Sequence, residues 1–129
     1  MTKIFCDIAD INLIKKFDRK KIVKGFTTNP SLMRKAGAKD YQNYSKKILE
    51  VTKKPISFEV FADNHDEMIK QGKKISTWGK NVFVKVPYSN TRGKFSGKVI
   101  KALNSKKIKL NITAVYNASQ TQKILKNID

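Results

Sequence analysis

The sequence contains few cysteine, histidine and acidic residues, and each shortage argues against a class of protein. Cys6 is the only cysteine, so no intrachain disulfide can form and nothing indicates an oxidising compartment. His65 has no second histidine or cysteine at ligand spacing, so we interpret it as a solvated helix start and predict no metal site. No apolar run approaches the roughly 20 residues needed to cross a bilayer, and the first residues lack the apolar segment of a secretion signal. We therefore expect a cytoplasmic protein with no membrane partner.

The shortage of acidic residues leaves a strongly basic chain. There are 28 basic residues against 10 acidic ones, for a net charge of +18. Such an excess is typical of proteins that bind nucleic acid or anionic surfaces. Only three of the basic residues are arginines, however, and the lysines are dispersed, with no long basic run and no aromatic platform between them. We interpret them as a lysine-rich solvent face that attracts phosphorylated substrates, and we expect no nucleic-acid partner.

Strand and helix patterns alternate along the 129 residues. Apolar runs predict strands at 3–8, 22–27, 55–60, 81–87 and 109–115. Amphipathic segments with capping residues predict helices at 11–18, 30–35, 40–52, 63–78, 91–104 and 119–128. Alternation of this kind indicates an α/β protein with a parallel sheet and right-handed crossovers. No linker divides the chain, so we predict a single domain over residues 1–129.

Lys85 lies inside the fourth predicted strand, the nearly continuous apolar run 81–87. Side chains alternate along a strand, so Asn81, Phe83 and Lys85 share one face and three valines occupy the other. Taking an ammonium out of water is costly, and burial favours the neutral amine, which attacks carbonyl groups. The alternative interpretation is a strand-end lysine that extends to water.

The other predicted strands also carry polar residues near their carboxyl ends. These are Asp7; Thr27, with Asn29 just beyond it; Glu59; and Asn111 with Thr113. Active sites of (β/α)₈ barrels and of open doubly wound sheets form at the carboxyl ends of parallel strands. The pattern therefore predicts an active site, the alternative being a set of coincidental polar residues beside loops.

These side chains can be assigned chemical roles. Lys85 would attack a ketone and form a Schiff base, an electron sink for breaking a carbon–carbon bond. Asp7 would remove and return the hydroxyl proton, and Glu59, with Thr113 holding a shared water, would move protons while the Schiff base forms. Two asparagines, Asn29 and Asn111, can hydrogen-bond substrate hydroxyls.

Several motifs together resemble the transaldolase family, in the small single-barrel branch that also contains fructose-6-phosphate aldolases. They are Phe5-Cys6-Asp7-Ile8-Ala9-Asp10, Gly25-Phe26-Thr27-Thr28-Asn29-Pro30-Ser31-Leu32, Phe58-Glu59-Val60, Val84-Lys85-Val86-Pro87, and Asn111-Ile112-Thr113-Ala114-Val115-Tyr116 followed by Gln120. The Thr-Thr-Asn-Pro-Ser block is specific, and the resemblance covers essentially the whole chain.

The resemblance implies a TIM-type (β/α)₈ barrel and transfer of a dihydroxyacetone unit between sugar phosphates of the pentose phosphate pathway, without metal or organic cofactor. It places the family's lysine, cleavage aspartate, relay glutamate and relay threonine on Lys85, Asp7, Glu59 and Thr113. Its substrate-binding asparagines fall on Asn29 and Asn111, and we also predict that Thr27 binds substrate. The aldolase branch carries glutamine where this chain has Glu59, which favours transfer. The alternatives are a fructose-6-phosphate aldolase-type lyase and a non-catalytic basic fragment that binds anions or nucleic acid.

The chain departs from the family in size. About five of eight βα units are present, where a barrel usually takes about 250 residues. The resemblance therefore implies an incomplete barrel, truncated relative to the family and without its phosphate site, with weak or absent activity alone. Unpaired edge strands indicate a partner, either a homo-oligomer or a second chain that completes the barrel.

Overall fold

The computed structural model describes residues 1–129 and contains five strands and six helices. In chain order they are β1 (Ile4–Asp7), α1 (Ile11–Asp18), β2 (Val23–Thr27), α2 (Pro30–Lys35), α3 (Tyr41–Val51), β3 (Ile56–Glu59), α4 (His65–Ser76), β4 (Val82–Pro87), α5 (Gly97–Ser105), β5 (Leu110–Thr113) and α6 (Ala118–Leu125). None of the helices is both long enough and apolar enough to cross a bilayer.

The five strands belong to one sheet in the order β1-β2-β3-β4-β5. The pairings of β1 with β2, β2 with β3 and β4 with β5 are parallel. At the amino end of β3, Ile56 N donates to Asn81 O (3.0 Å), and just after its carboxyl end Val60 N donates to Lys85 O (3.0 Å). Neighbouring strands that follow one another in sequence, each pair joined through helical segments, are the arrangement of a (β/α) barrel. The predicted fold class, an incomplete α/β barrel of five βα units, is confirmed.

The chain comprises two compact units, and the first contains Met1–Phe58 and Trp78–Val82. Its core is formed by fully buried apolar side chains from strands and helices: Ile14, Phe26, Met33, Ile48, Ile56 and Phe58. Trp78 packs edge-on against Phe58, with ring centroids 5.9 Å apart, and against Tyr41 at 6.0 Å. Trp78, two residues beyond the end of α4 (His65–Ser76), is thus a packing residue of this core.

The second unit contains Glu59–Thr77 and Phe83–Asp129. Its buried side chains come from β4 and from the inward faces of α4 and α5: Val84, Val86, Met68, Ile75, Val99, Ile100 and Leu103. Helices α4 and α5 pack closely because Gly72 has no side chain. A Cβ at that position would lie 2.7 Å from Leu103 Cδ1, well inside van der Waals contact.

Capping residues determine where most helices begin. Asp10 Oδ1 accepts from Leu13 N (2.9 Å), and Asn29 Oδ1 accepts from Leu32 N (2.9 Å) with proline in the first turn of α2. Both side chains satisfy amide groups that the helix itself leaves unpaired. These caps are local in sequence, so the predicted bounds of α1 and α2 coincide with the observed ones.

The segment 88–96 differs from the prediction, which placed a helix from residue 91. It forms a short hairpin instead, and α5 begins only at Gly97. Ser89 and Phe95 form an antiparallel bridge, and Asn90 N donates to Lys94 O (3.0 Å). Gly93 has φ 76°, in the left-handed region that glycine adopts without strain. We call this segment the 88–96 hairpin.

Candidate active site

Lys85 lies on the face of β4 opposite its three valines, as strand alternation predicts. Val82, Val84 and Val86 are buried. Lys85 is largely shielded as well, with 12% of its side chain exposed. Valine and other β-branched side chains favour the extended backbone, and the buried valine face fixes the register of the strand. The Lys85 amine is therefore positioned by a strand whose other face is anchored in the core.

The Lys85 ammonium is paired with a carboxylate from the neighbouring strand. Lys85 Nζ lies 4.0 Å from Glu59 Oε2, and the Glu59 side chain is 19% exposed. The Val60 N to Lys85 O hydrogen bond brings the two strand ends together. Shielding from water strengthens the attraction between the two charges relative to an exposed pair. An amine and an acid at this separation can exchange protons through one intervening water.

Two further predicted site residues lie on β5 beside Lys85. Asn111 is the Cα partner of Lys85 across the parallel pairing, and Thr113 is the partner of Pro87. Aligned residues of parallel strands share a face of the sheet, so Asn111 and Thr113 lie on the face that carries Lys85. Both are half-buried. The second unit thus places an amine, a carboxylate, an amide and a hydroxyl on one face of three adjacent strands.

The first unit pairs two other predicted site residues. Asp7 and Thr27 are aligned at the carboxyl ends of β1 and β2, and Thr27 Oγ1 donates to Asp7 Oδ1 (2.7 Å). Asp7 is exposed at this strand end, whereas Thr27 is half-buried. The cause is the position of β1 at the end of the sheet, where only β2 pairs with it.

Asn29 has a structural role in this geometry. Its Oδ1 is used to cap α2, and its backbone is extended at φ −154°. The nitrogen of its amide takes no part in this cap, so a hydrogen bond from Asn29 to a substrate hydroxyl remains a prediction.

His65 lies at a helix start, as predicted, but it is buried there rather than solvated. It is the first residue of α4 and is 7% exposed, with its Nε2 buried and without a hydrogen-bond partner. The 88–96 hairpin and the β3–α4 loop line a cavity together with His65. A hairpin in place of the first helical turn could have been suspected from Asn90-Thr91-Arg92-Gly93, a composition typical of turns.

Comparison with known proteins identifies a family. The sequence model of the family described as transaldolase/fructose-6-phosphate aldolase matches residues 4–128. A probable transaldolase of Herpetosiphon aurantiacus is 38% identical over 118 residues, which are 92% of this chain and 51% of that protein. Probable transaldolases of Methanococcus vannielii and Clostridioides difficile are 36% and 38% identical over 118 residues, covering 92% of this chain and 53% and 52% of those proteins.

The chain therefore spans about half the length of the curated relatives that it matches. The matched region includes both the Asp7–Thr27 pair and the Lys85–Glu59 pair. The chain belongs to the transaldolase/fructose-6-phosphate aldolase family.

Proposed function

We propose that this chain carries the Schiff-base residue and proton-transfer residues of a transaldolase-type enzyme that moves a dihydroxyacetone unit between sugar phosphates. The observation that supports this most directly is the Lys85–Glu59 pair, shielded from water at 4.0 Å. Family membership and the similarity to probable transaldolases support the same reaction class. A cytoplasmic location, a role in the pentose phosphate pathway and the lack of any cofactor stay predictions.

The proposed reaction begins with attack of the neutral Lys85 amine on the ketone carbon of a ketose phosphate. The carbinolamine loses water as Glu59 supplies and removes protons, with Thr113 holding the water, and a protonated Schiff base results. The bond between the α- and β-carbons of the iminium then breaks: its electron pair forms the enamine double bond, the iminium π electrons move to the nitrogen, and Asp7 takes the proton of the hydroxyl on the departing β-carbon. An aldehyde leaves, and a three-carbon enamine stays on Lys85.

Transfer is completed by the reverse steps with a second aldehyde. The enamine carbon attacks that aldehyde, Asp7 returns its proton, and water releases the new ketose and the free amine. No oxidant, reductant or metal is needed for atoms and electrons to balance. Asn29, Asn111 and Thr27 would hydrogen-bond the hydroxyl groups of the donor.

Borohydride trapping tests the proposal. Reduction in the presence of fructose 6-phosphate should attach a stable three- or six-carbon adduct to Lys85, located by peptide mass spectrometry, and Lys85→Ala should abolish it. Lys80→Ala is the matched control, because Lys80 is an exposed lysine just before the same strand. Adducts spread over surface lysines, or retained in Lys85→Ala, would remove the catalytic assignment.

The same assay separates transfer from simple aldol release. The glutamate at position 59 favours transfer, so the enamine should persist until an aldose phosphate acceptor is added. If dihydroxyacetone is released at the same rate with and without an acceptor, the lyase alternative is correct.

A further inference from the structure

The second unit contains a cavity that involves none of the residues assigned to the proposed reaction. Its volume is about 450 Å³, within the range of small-molecule sites. It is lined by the β3–α4 loop, the start of α4 and the 88–96 hairpin, through Asp63, Asn64, His65, Asp66, Asn90, Arg92, Lys94 and Lys98. Three cations and two carboxylates thus face one space.

Both carboxylates are engaged by protein groups. Asp63 accepts from Thr91 N and Thr91 Oγ1, each at 2.8 Å, and these hydrogen bonds hold the pKa of Asp63 below its ordinary value. Asp66 forms a salt bridge with Lys98 at 2.6 Å. Neither Arg92 nor Lys94 forms a salt bridge. The positive charge available to a ligand is therefore that of Arg92 and Lys94.

His65 supplies an independent sign of a ligand. It is more than nine-tenths buried, lines the cavity, and its Nε2 has no hydrogen-bond partner. Buried polar atoms without partners are rare in folded proteins, and a bound group is one of their ordinary explanations. A protonated Nε2 would donate to an oxygen of such a group.

The two available cations are held by a preformed loop. Asn90 Oδ1 accepts from Arg92 N and Lys94 N, both at 3.0 Å, and Asn90 Nδ2 donates to Asp63 O at 3.2 Å. These bonds fix the backbone that carries the cations, so binding would require little ordering. The helix amino terminus contributes little, because Asn64 Oδ1 already accepts from Asp66 N and Glu67 N.

We propose that this cavity binds the phosphate group of a small phosphomonoester, through Arg92, Lys94 and His65. A phosphomonoester carries about two negative charges and three acceptor oxygens, which match two cations and one buried donor. Arginine suits this group because its planar fork can donate two parallel hydrogen bonds. The proposal does not depend on Schiff-base chemistry, because no lining residue takes part in it.

An NMR titration tests the site. Adding inorganic phosphate or glycerol 3-phosphate to the ¹⁵N-labelled chain should shift the backbone amides of residues 63–66 and 90–94, and glycerol should not. The double variant Arg92→Gln/Lys94→Gln should weaken binding at least tenfold, since both side chains are exposed and outside the hydrogen bonds that hold the hairpin. Lys73→Gln/Lys74→Gln, which removes the same charge from the exposed last turn of α4, should bind within twofold of the unchanged chain.

The outcomes separate this site from the proposed enzyme. Binding should persist in Lys85→Ala, whatever the result of borohydride trapping. If Arg92→Gln/Lys94→Gln slows borohydride trapping with fructose 6-phosphate but not with dihydroxyacetone, the phosphate bound in the cavity is that of the substrate. If trapping is unchanged while glycerol 3-phosphate binding is lost, the bound phosphate belongs to a separate ligand. Shifts spread over surface lysines, or equal affinity in the double variant, would overturn the proposal.

Discussion

The Lys85 amine and the Glu59 carboxylate are held 4.0 Å apart in surroundings that admit little water. A carboxylate offsets part of the desolvation of an ammonium, so the pair can be buried where either charge alone would be costly. The same carboxylate is placed to move protons while the Schiff base forms. One residue thus serves both folding and the proposed chemistry, and the two roles respond differently to substitution.

Glu59→Gln separates these roles, because it keeps the shape of the side chain and removes its proton-transfer capacity. We expect the single-turnover rate of borohydride trapping to fall by roughly 10²- to 10⁴-fold, the range for losing a general acid–base. Glu50→Gln, on the exposed side of α3, should leave the rate unchanged. A trapping rate in Glu59→Gln equal to that of the unchanged chain would exclude Glu59 as the proton relay.

At the scale of single elements, the sequence predicts those helix and strand bounds that are determined by residues nearby in the chain. Asp10 and Asn29 cap helices within three residues of themselves, so the bounds of α1 and α2 could be predicted. The composition of residues 90–93 indicates a turn, but the 88–96 hairpin as a whole is held by Asp63, 28 residues away along the chain from Thr91, and that contact could not be predicted. His65 lines a cavity together with residues of that same hairpin. The strand positions of Lys85, Glu59 and Asn111 followed from alternation, whereas the exposure of Asp7 follows from having a neighbouring strand on one side only.

The C-terminal end of α5 offers a test of local strain. Lys107 has φ 58° and follows the C-cap, with Ile108 N donating to Leu103 O (3.2 Å) and Lys107 N donating to Asn104 O (2.8 Å). Glycine favours this left-handed position because it has no Cβ. Lys107→Gly should raise the free energy of unfolding by roughly 1 kcal/mol in urea denaturation, because relief of a left-handed strain of about 1–2 kcal/mol outweighs the entropy cost of glycine, about 0.5–1 kcal/mol.

Lys106→Gly is the matched control, because Lys106 has φ −91°. It removes the same charge one residue earlier, where glycine gains nothing, and should leave the stability equal or lower. Equal changes in the two variants would show that charge, rather than backbone strain, determines the effect.

The contact between Asp63 and Thr91 predicts a response to acid. Hydrogen bonds from the Thr91 backbone and hydroxyl lower the pKa of Asp63 in the folded chain from its ordinary value of 3.8. The stabilisation is therefore fully present above pH 3.8 and is lost as the pH falls through the folded pKa. The Thr91 amide resonance should titrate with a midpoint below 3.8, and Asp63→Asn should abolish that titration. A midpoint at or above 3.8 would contradict the assignment.

At the scale of the whole molecule, the chain covers about half the length of its relatives, and its outer strands have one paired neighbour each. On β1, Ile4 and Phe5 are 45% and 44% exposed. An outer strand with exposed apolar side chains can pair with a strand of another chain. The partner that we propose, a second copy or a chain that completes the barrel, would cover this strand.

Self-association should therefore depend on β1. Sedimentation velocity at increasing concentration should show a dimer or larger species, and Ile4→Lys should shift the equilibrium toward monomer. Leu13→Lys makes the same change at an equally exposed position on α1 and should have little effect. A monomer at all concentrations would favour a different chain as the partner.

Turnover is a separate property of the whole molecule. A complete barrel of this type takes about 250 residues. We expect the 129-residue chain alone to form the Lys85 adduct but to show weak or no multiple-turnover transfer in a coupled transaldolase assay. Turnover equal to that of a full-length relative assayed in parallel would refute this expectation.

The construction of the 88–96 hairpin has a consequence for how specificity can change in this lineage. Its hydrogen bonds join main-chain groups and the side chains of Asn90, Thr91 and Asp63, and none involves the side chains at positions 92 and 94. Those two positions are therefore free to vary while the turn keeps its shape. Evolution or protein engineering can exchange the anion that this loop selects by altering two side chains, without redesigning the scaffold that presents them.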